Sequence, residues 1–220
     1  MTTLQLIDNT IPKLQLGDTL FKALQLMNQF KLTHLPVVGL ENFLGLISEE
    51  ALLSEKNKKS TIAVFQNDLV PAAINVAQHF LKGVSICNLY QTNIIPVVNE
   101  SGELLGSIGE FALLKALGDF CGASEYGALV VLEMERTRFA ISEINSIVES
   151  DDATILHLNI ITNPSSGLLE VTLQINKKEI STIIATFERY DYSISYYSGE
   201  ELFENDISSN YQNLMNYLDI

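Results

Sequence analysis

Positive charge is scarce in this chain. Thirteen lysines and arginines stand against 27 aspartates and glutamates in 220 residues, a formal net charge of −14. The deficit is uneven: residues 1–120 carry 8 basic and 11 acidic side chains, and residues 121–220 carry 5 and 16. Nucleic-acid binders need clustered Lys and Arg to displace counterions from phosphates, and neither half has such a cluster. Lys56, Lys58 and Lys59 form a short basic run that reads as a solvated linker. Nucleic acid and anionic membranes are therefore excluded as partners, which leaves small molecules and other proteins.

Other absences narrow the class further. Two cysteines, Cys87 and Cys121, lie far apart and in no CxxC pair, so we expect semi-buried cytosolic thiols and no metal site. No apolar run approaches the roughly 18 residues that span a bilayer. The opening Met-Thr-Thr-Leu-Gln-Leu lacks the basic and apolar regions of a signal peptide, so the expected location is cytoplasmic. The three histidines, His34, His79 and His157, stand in unrelated elements. Walker loop, nucleophile elbow and HExxH are all missing. We expect no catalytic residues and no enzyme.

What the chain has is a phrase said twice. "LPVVGLENFLGLISEEALL" at residues 35–53 returns as "IPVVNESGELLGSIGEFALL" at 95–114. Residues 21–38 lie over 81–98 without a gap, matching Lys22 with Lys82, Asn28 with Asn88, and Pro36-Val37-Val38 with Pro96-Val97-Val98. One extra residue in the second turn then shifts the register, bringing Gly45 onto Gly106 and Ala51-Leu52-Leu53 onto Ala112-Leu113-Leu114. An internal duplication sets the fold before any local detail. The first copy predicts a helix capped near Asp18, with Leu20, Leu24 and Met27 at helical spacing. An apolar strand, a turn, a second strand and a helix beginning near Ser48 or Gly109 follow. Short leading strands are expected near Ile11–Leu14 and Ile62–Phe65. One copy alone cannot bury both faces of its sheet, but two stacked copies can.

The run Ala23–Met27, then Leu35–Val38, then Leu44–Ser48, repeated in order and spacing, resembles the CBS domain in the tandem arrangement called a Bateman module. The resemblance covers about residues 5–118, as repeats 5–58 and 59–118 of a pair spanning 1–120. It implies a pseudo-twofold pair whose cleft takes AMP, ATP or another adenosyl compound, which regulates an attached or associated enzyme or transporter, and which forms a homodimer. In the family's motif a hydroxyl and a helix N-terminus meet phosphate, and an Asp three residues later accepts ribose hydroxyls. Here Ser48 keeps the hydroxyl but Ala51 replaces the Asp, with Glu50 beside it; the second copy has Gly109 and Ala112. An alanine methyl accepts no hydrogen bond, so this route to ribose is missing from both copies. The resemblance makes Thr33, His34, Pro36, Ser48, Glu50 and Ala51 the cleft residues of the first copy. Those of the second are Asn93, Ile94, Pro96 and Gly109.

The second half reads differently. "ALVVLEM" is a strand; Ile144, Ile147 and Val148 follow at helical spacing; "TILHLNIIT" and "LLEVTLQIN" flank a turn at 163–167; a helix with Ile183 and Phe187 and the strand "YSISYY" close the unit. The order β-α-β-β-α-β predicts a ferredoxin-like unit over 125–200, and 201–220 predicts an amphipathic C-terminal helix with Ile207, Tyr211, Leu214, Met215 and Leu218 on one side. The fold class is thus α/β (α+β), a CBS pair followed by a ferredoxin-like domain. Behind a CBS pair that unit resembles the ACT domain, as in acetoin-utilisation-type CBS–ACT proteins and CBS proteins of Bacteroidetes. Its ligand loop is Glu135–Phe139, where Arg136 and Arg138 are the candidates to meet a carboxylate, although the loop lacks the family's Pro and Gly. Two functions fit: a sensor that binds a metabolite in the CBS cleft and transmits it through dimer or domain geometry, or an assembly protein with degenerate ligand sites. No cofactor is certain from sequence.

Overall fold

The structure, a computed structural model, describes residues 2–40, 42–57 and 60–199, so the terminal helix expected at 201–220 lies outside the described residues. The chain divides into two compact units, Met1–Phe120 and Cys121–Ile220. Among the described residues no helix is long and apolar enough to cross a membrane.

Unit 1 contains the duplication as two like sheets. The first copy runs β1 (Leu14–Gln15), α1 (Leu20–Phe30), β2 (His34–Val38), β3 (Phe43–Ser48) and α2 (Glu49–Ser54). The second runs β4 (Ile74–Asn75), α3 (Phe80–Tyr90), β5 (Ile94–Val98), β6 (Leu104–Gly109) and α4 (Glu110–Phe120). In each sheet the Pro-Val-Val strand is central, parallel to the short strand (Leu14↔Val37, Ile74↔Val97) and antiparallel to the next. That central position explains why Leu35, Pro36 and Val37, and Ile95, Pro96 and Val97, are all buried: neither face of the strand meets water. Both first helices end on a left-handed residue, Lys31 at φ 55° and Gln91 at φ 50°, which turns the chain into the central strand.

Two local expectations are corrected. The cap of α1 is Thr19, whose hydroxyl accepts from the Lys22 amide at 3.2 Å, rather than Asp18. Asp18 instead accepts from the Gln15 amide at 2.9 Å and pairs with Lys22 Nζ at 2.7 Å. The leading strands lie at Leu14–Gln15 and Ile74–Asn75, and Ile62–Phe65 is a 3₁₀ turn that answers another at Thr3–Leu6. The reason is tertiary. The Ile62 and Ala63 amides donate back to Asp18 and Leu16 carbonyls of the first copy, both at 2.9 Å, while Thr3 donates its amide to Gln78 O at 3.2 Å and its hydroxyl to Val76 O at 2.8 Å. Backbone committed in this way to the other copy cannot pair as a strand within its own.

The exchange continues into the sheets. The Asp8 amide donates to Ser107 O at 2.8 Å, and Val70 and Leu46 exchange amide bonds at 2.9 and 2.7 Å. At these crossings the strands carry glycine. A Cβ on Gly106 would stand 2.5 Å from Ile7 Cγ2, and one on Gly45 would stand 2.6 Å from Leu69 Cβ; φ is +156° and +155°. The two cores therefore share residues: Leu46 and Phe43 of the first copy pack in the core of the second, and Leu32 touches both.

Unit 2 is ferredoxin-like. β7 (Ala128–Met134), α5 (Ile141–Glu149), β8 (Ile155–Thr162), β9 (Leu169–Ile175), α6 (Ser181–Arg189) and β10 (Ser193–Ser198) make an antiparallel sheet in the order β10-β7-β9-β8. Val130, Leu132, Val171 and Leu173 meet Ile144, Ile183 and Phe187 of the helices in one core. Along β9 the polar Gln174 is buried, close to Gly122.

Gly106→Ala and Gly45→Ala are each expected to destabilise the protein by about 1–3 kcal/mol, since the new methyl strikes a segment of the opposite copy. Gly39→Ala, whose nearest atoms lie 3.8 Å away, should be nearly neutral. Chemical denaturation of the three variants checks the ranking.

Candidate functional site

The strand starts of the two copies meet at their pseudo-twofold axis. Thr33 and Asn93 occupy equivalent positions, and the Asn93 side-chain oxygen accepts from both the Thr33 amide and the Thr33 hydroxyl at 3.0 Å. The Asn93 amide group donates to Lys31 O at 3.0 Å. At the other end of the axis the equivalent residues Asn42 and Glu103 bridge the two hairpins. Thr33 Oγ1 also lies 2.9 Å from His34 Nδ1. Burial holds the His34 imidazole below its ordinary value of 6.5, because a half-buried ring loses hydration that its charged form needs.

From this axis the chain leads to the helix entries. Antiparallel pairing sets His34 opposite Ser48, and Ile94 opposite Gly109. The Glu49 amide donates to Thr33 O at 2.8 Å and the Glu110 amide to Asn93 O at 2.9 Å, tying each second helix to the start of its central strand. Ser48 Oγ accepts from the Ala51 amide at 3.1 Å and so serves as the cap of α2. Two of the amides that a helix start would offer to an anion are thus already in use. Ala51 and Ala112 pack against the cores of their own copies, and Glu50 is exposed.

The structure brings Thr33, His34, Ser48 and Asn93 into one neighbourhood. It does not bring in the rest. Ile94 is fully buried in the second core, and Pro36 and Pro96 are buried farther along their strands, opposite Leu46 and Ser107. A chain position that begins a strand does not by itself turn its side chain to a cleft, and an apolar side chain at such a start goes to the core. Gly109 is lined by Ile11, whose Cδ1 lies 3.9 Å from where a Cβ would stand, so the first leader occupies the space there.

Residues 5–58 match the CBS domain family. Over 55% of this chain the fold is similar to a crystal structure of a CBS domain pair/ACT domain protein from Thermotoga maritima, at 20% identity, a TM-score of 0.50 and 98% coverage of that chain. Unit 1 has the fold of a CBS domain pair. The second copy follows from the duplication and from its matching sheet. Other similar structures are the CBS domains of a transcriptional regulator from Streptococcus pneumoniae (16% identity, TM-score 0.46, 52% and 98% coverage) and CBSX2 in complex with AMP (17%, 0.45, 54% and 97%). The cytosolic domain of the Mg²⁺ channel MgtE in complex with ATP is also similar (17%, 0.42, 50% and 46%).

In the ferredoxin-like unit the two candidates lie on a 3₁₀ turn, Arg136–Arg138. Arg136 donates to Thr162 Oγ1 at 3.4 Å and Arg138 to Tyr190 O at 3.1 Å. Both partners are neutral oxygens, so the guanidinium charges are not cancelled by these contacts. Nearby, Tyr192 donates to Glu143 Oε2 at 2.6 Å, and burial together with that carboxylate pushes its hydroxyl up to about 12. Among the described residues no three His, Cys, Asp or Glu side chains stand close enough to hold a metal ion.

Sequence reasoning missed one feature. A cavity of about 530 Å³ opens between α3 and α4, with Thr33 and Asn93 at its border. The free thiol of Cys87 lies in it, pushed up to about 11 by burial and by the charge of Glu110. The available signal was the difference between the repeats, where Cys87 and Thr92 replace Met27 and Leu32.

A proton titration of His34 by NMR is expected to show a midpoint below 6.5. Because the folded value lies below the unfolded one, the linked stability is fully present above pH 6.5 and is lost as pH falls from there through the folded value. His34→Gln should flatten that slope in denaturation curves taken across this range.

Proposed function

We propose that the protein is a non-catalytic regulatory protein in which the crevice of the first CBS copy receives a small metabolite of the adenosine class. The observation that carries this is the convergence of Thr33, His34 and Ser48 where the start of the central strand lies against the end of the next, beside Asn93 of the other copy. A ligand seated there touches the Thr33–Asn93 link and thereby both repeats. It acts only by preferring one geometry of the pair, or of a dimer, over another. A homodimer is favoured by exposed apolar side chains on the pair's helices, with Phe21 at 67%, Phe111 at 78% and Leu114 at 65% exposure. The effector would be an enzyme or transporter that reads this change, and the location cytoplasmic. The ACT-like arginines offer a second position for a carboxylate.

A second reading is supported by a separate observation. Both ribose-binding carboxylates are replaced by alanines that pack inward, and Ile11 sits against Gly109. In that reading the crevices are vestigial and the protein works through its apolar helix faces, as an assembly factor.

A thermal-shift screen with AMP, ADP, ATP, S-adenosylmethionine and amino acids separates the two. A ligand at a hundred times its dissociation constant adds about 2.7 kcal/mol, which moves the melting temperature by several degrees. The sensor reading expects a shift with an adenosyl compound, and a flat screen favours assembly. Ala51→Asp is expected to raise adenosine-nucleotide affinity in calorimetry; no change would remove the ribose from this position.

A further inference from the structure

The two repeats differ where α3 faces α4. In the first copy Met27 is buried and Leu32 packs on both cores. In the second copy Gly83 stands for Ala23, Cys87 for Met27 and Thr92 for Leu32, and every exchange removes side-chain volume. The opposite wall grows instead. α4 runs Glu110–Phe120 whereas α2 stops at Ser54, so Leu117 extends a wall that the first copy lacks. The outcome is the cavity of about 530 Å³, within the range of small-molecule sites.

Its lining states a chemistry. Val84, Leu113 and Leu117 supply an apolar side, and Asn88 and Gln91 supply amides that form no hydrogen bond among the described residues. Asn93 and Thr92 are already satisfied, the first by Thr33 and Lys31, the second by Ile94. The one formal charge in the lining is Glu110, and the lining has no Lys, Arg or His. A phosphate or carboxylate would meet that carboxylate with nothing to offset it, whereas an ammonium gains a charge-assisted bond.

We propose that the α3/α4 cavity of the second copy is a binding site for a small amphipathic amine, with its apolar body against Leu113 and Leu117 and its ammonium at Glu110. The cavity borders the adenosine crevice of the first copy at Thr33 and Asn93 but does not include His34 or Ser48, and the proposal does not depend on that crevice.

The test uses the full chain with phenethylamine as probe and 3-phenylpropionate, its near-isosteric carboxylate, as control. Phenethylamine is expected to slow alkylation of Cys87 by iodoacetamide, followed by peptide mass mapping so that Cys121 serves as internal reference, and to raise the melting temperature. Cys87→Met restores the first copy's own residue, fills the cavity and should abolish the thermal shift. Glu110→Gln should weaken the amine about tenfold, the order of one charge-assisted bond. Neither variant touches the Ser48 crevice, so a nucleotide response would survive both. Equal protection by 3-phenylpropionate, an unchanged shift in Cys87→Met, or Cys87 protection that grows with protein concentration without any amine (a second copy in the groove) would each overturn the proposal.

Discussion

The crossing of backbone at Gly45 and Gly106 is the constraint on which unit 1 depends. At both positions the leader of one copy presses on the second strand of the other more closely than any side chain permits. Hydrogen bonds from Asp8, Val70, Thr3 and Ile62 follow from that approach, and they commit each leader to the opposite repeat. The copies are thus interlocked rather than merely stacked. Shared core residues such as Leu32 and Leu46 are the packing counterpart of the same exchange.

This interlocking explains why the candidate site lies where it does. A pseudo-twofold axis brings equivalent residues face to face, and in this pair it brings Thr33 to Asn93, two side chains that can satisfy each other. Helix entries are tied to the same pair through the Glu49 and Glu110 amides. Any group bound near this axis is coupled by a few hydrogen bonds to both sheets and to two helices, which is what a regulatory pair requires. The copies agree at the helix entries, where both have alanine (Ala51 and Ala112), and differ along the α3 surface, where Gly83, Cys87 and Thr92 are smaller than Ala23, Met27 and Leu32.

The architecture was legible because it was written twice. Pro-Val-Val, the following glycine and the Ala-Leu-Leu of the next helix recur in order, and that pattern needs no tertiary knowledge. The ferredoxin-like unit was legible from periodicity: Leu169 to Ile175 alternates, and Ile144, Ile147 and Val148 recur at helical spacing. The leaders were misjudged because Ile62–Phe65 is apolar enough for a strand, and only its bonds to Leu16 and Asp18 make it a turn. Thr19 displaced Asp18 as the cap because the Asp carboxylate found a backbone amide and a lysine nearby. Of the candidate residues, Thr33, His34 and Ser48 lie in one neighbourhood, while Ile94, Pro36 and Pro96 are buried, since burial of apolar surface outweighs a position at a strand end.

Native-state hydrogen exchange on unit 1 tests the interlocking most directly. If the leaders lock the copies together, the amides of the two central strands, Val37 and Val97 among them, become exposed in one cooperative opening with a single free energy and a single denaturant dependence. If instead the amides of one sheet exchange at markedly lower free energy while the other stays protected, the copies are independent modules and the leaders do not lock them.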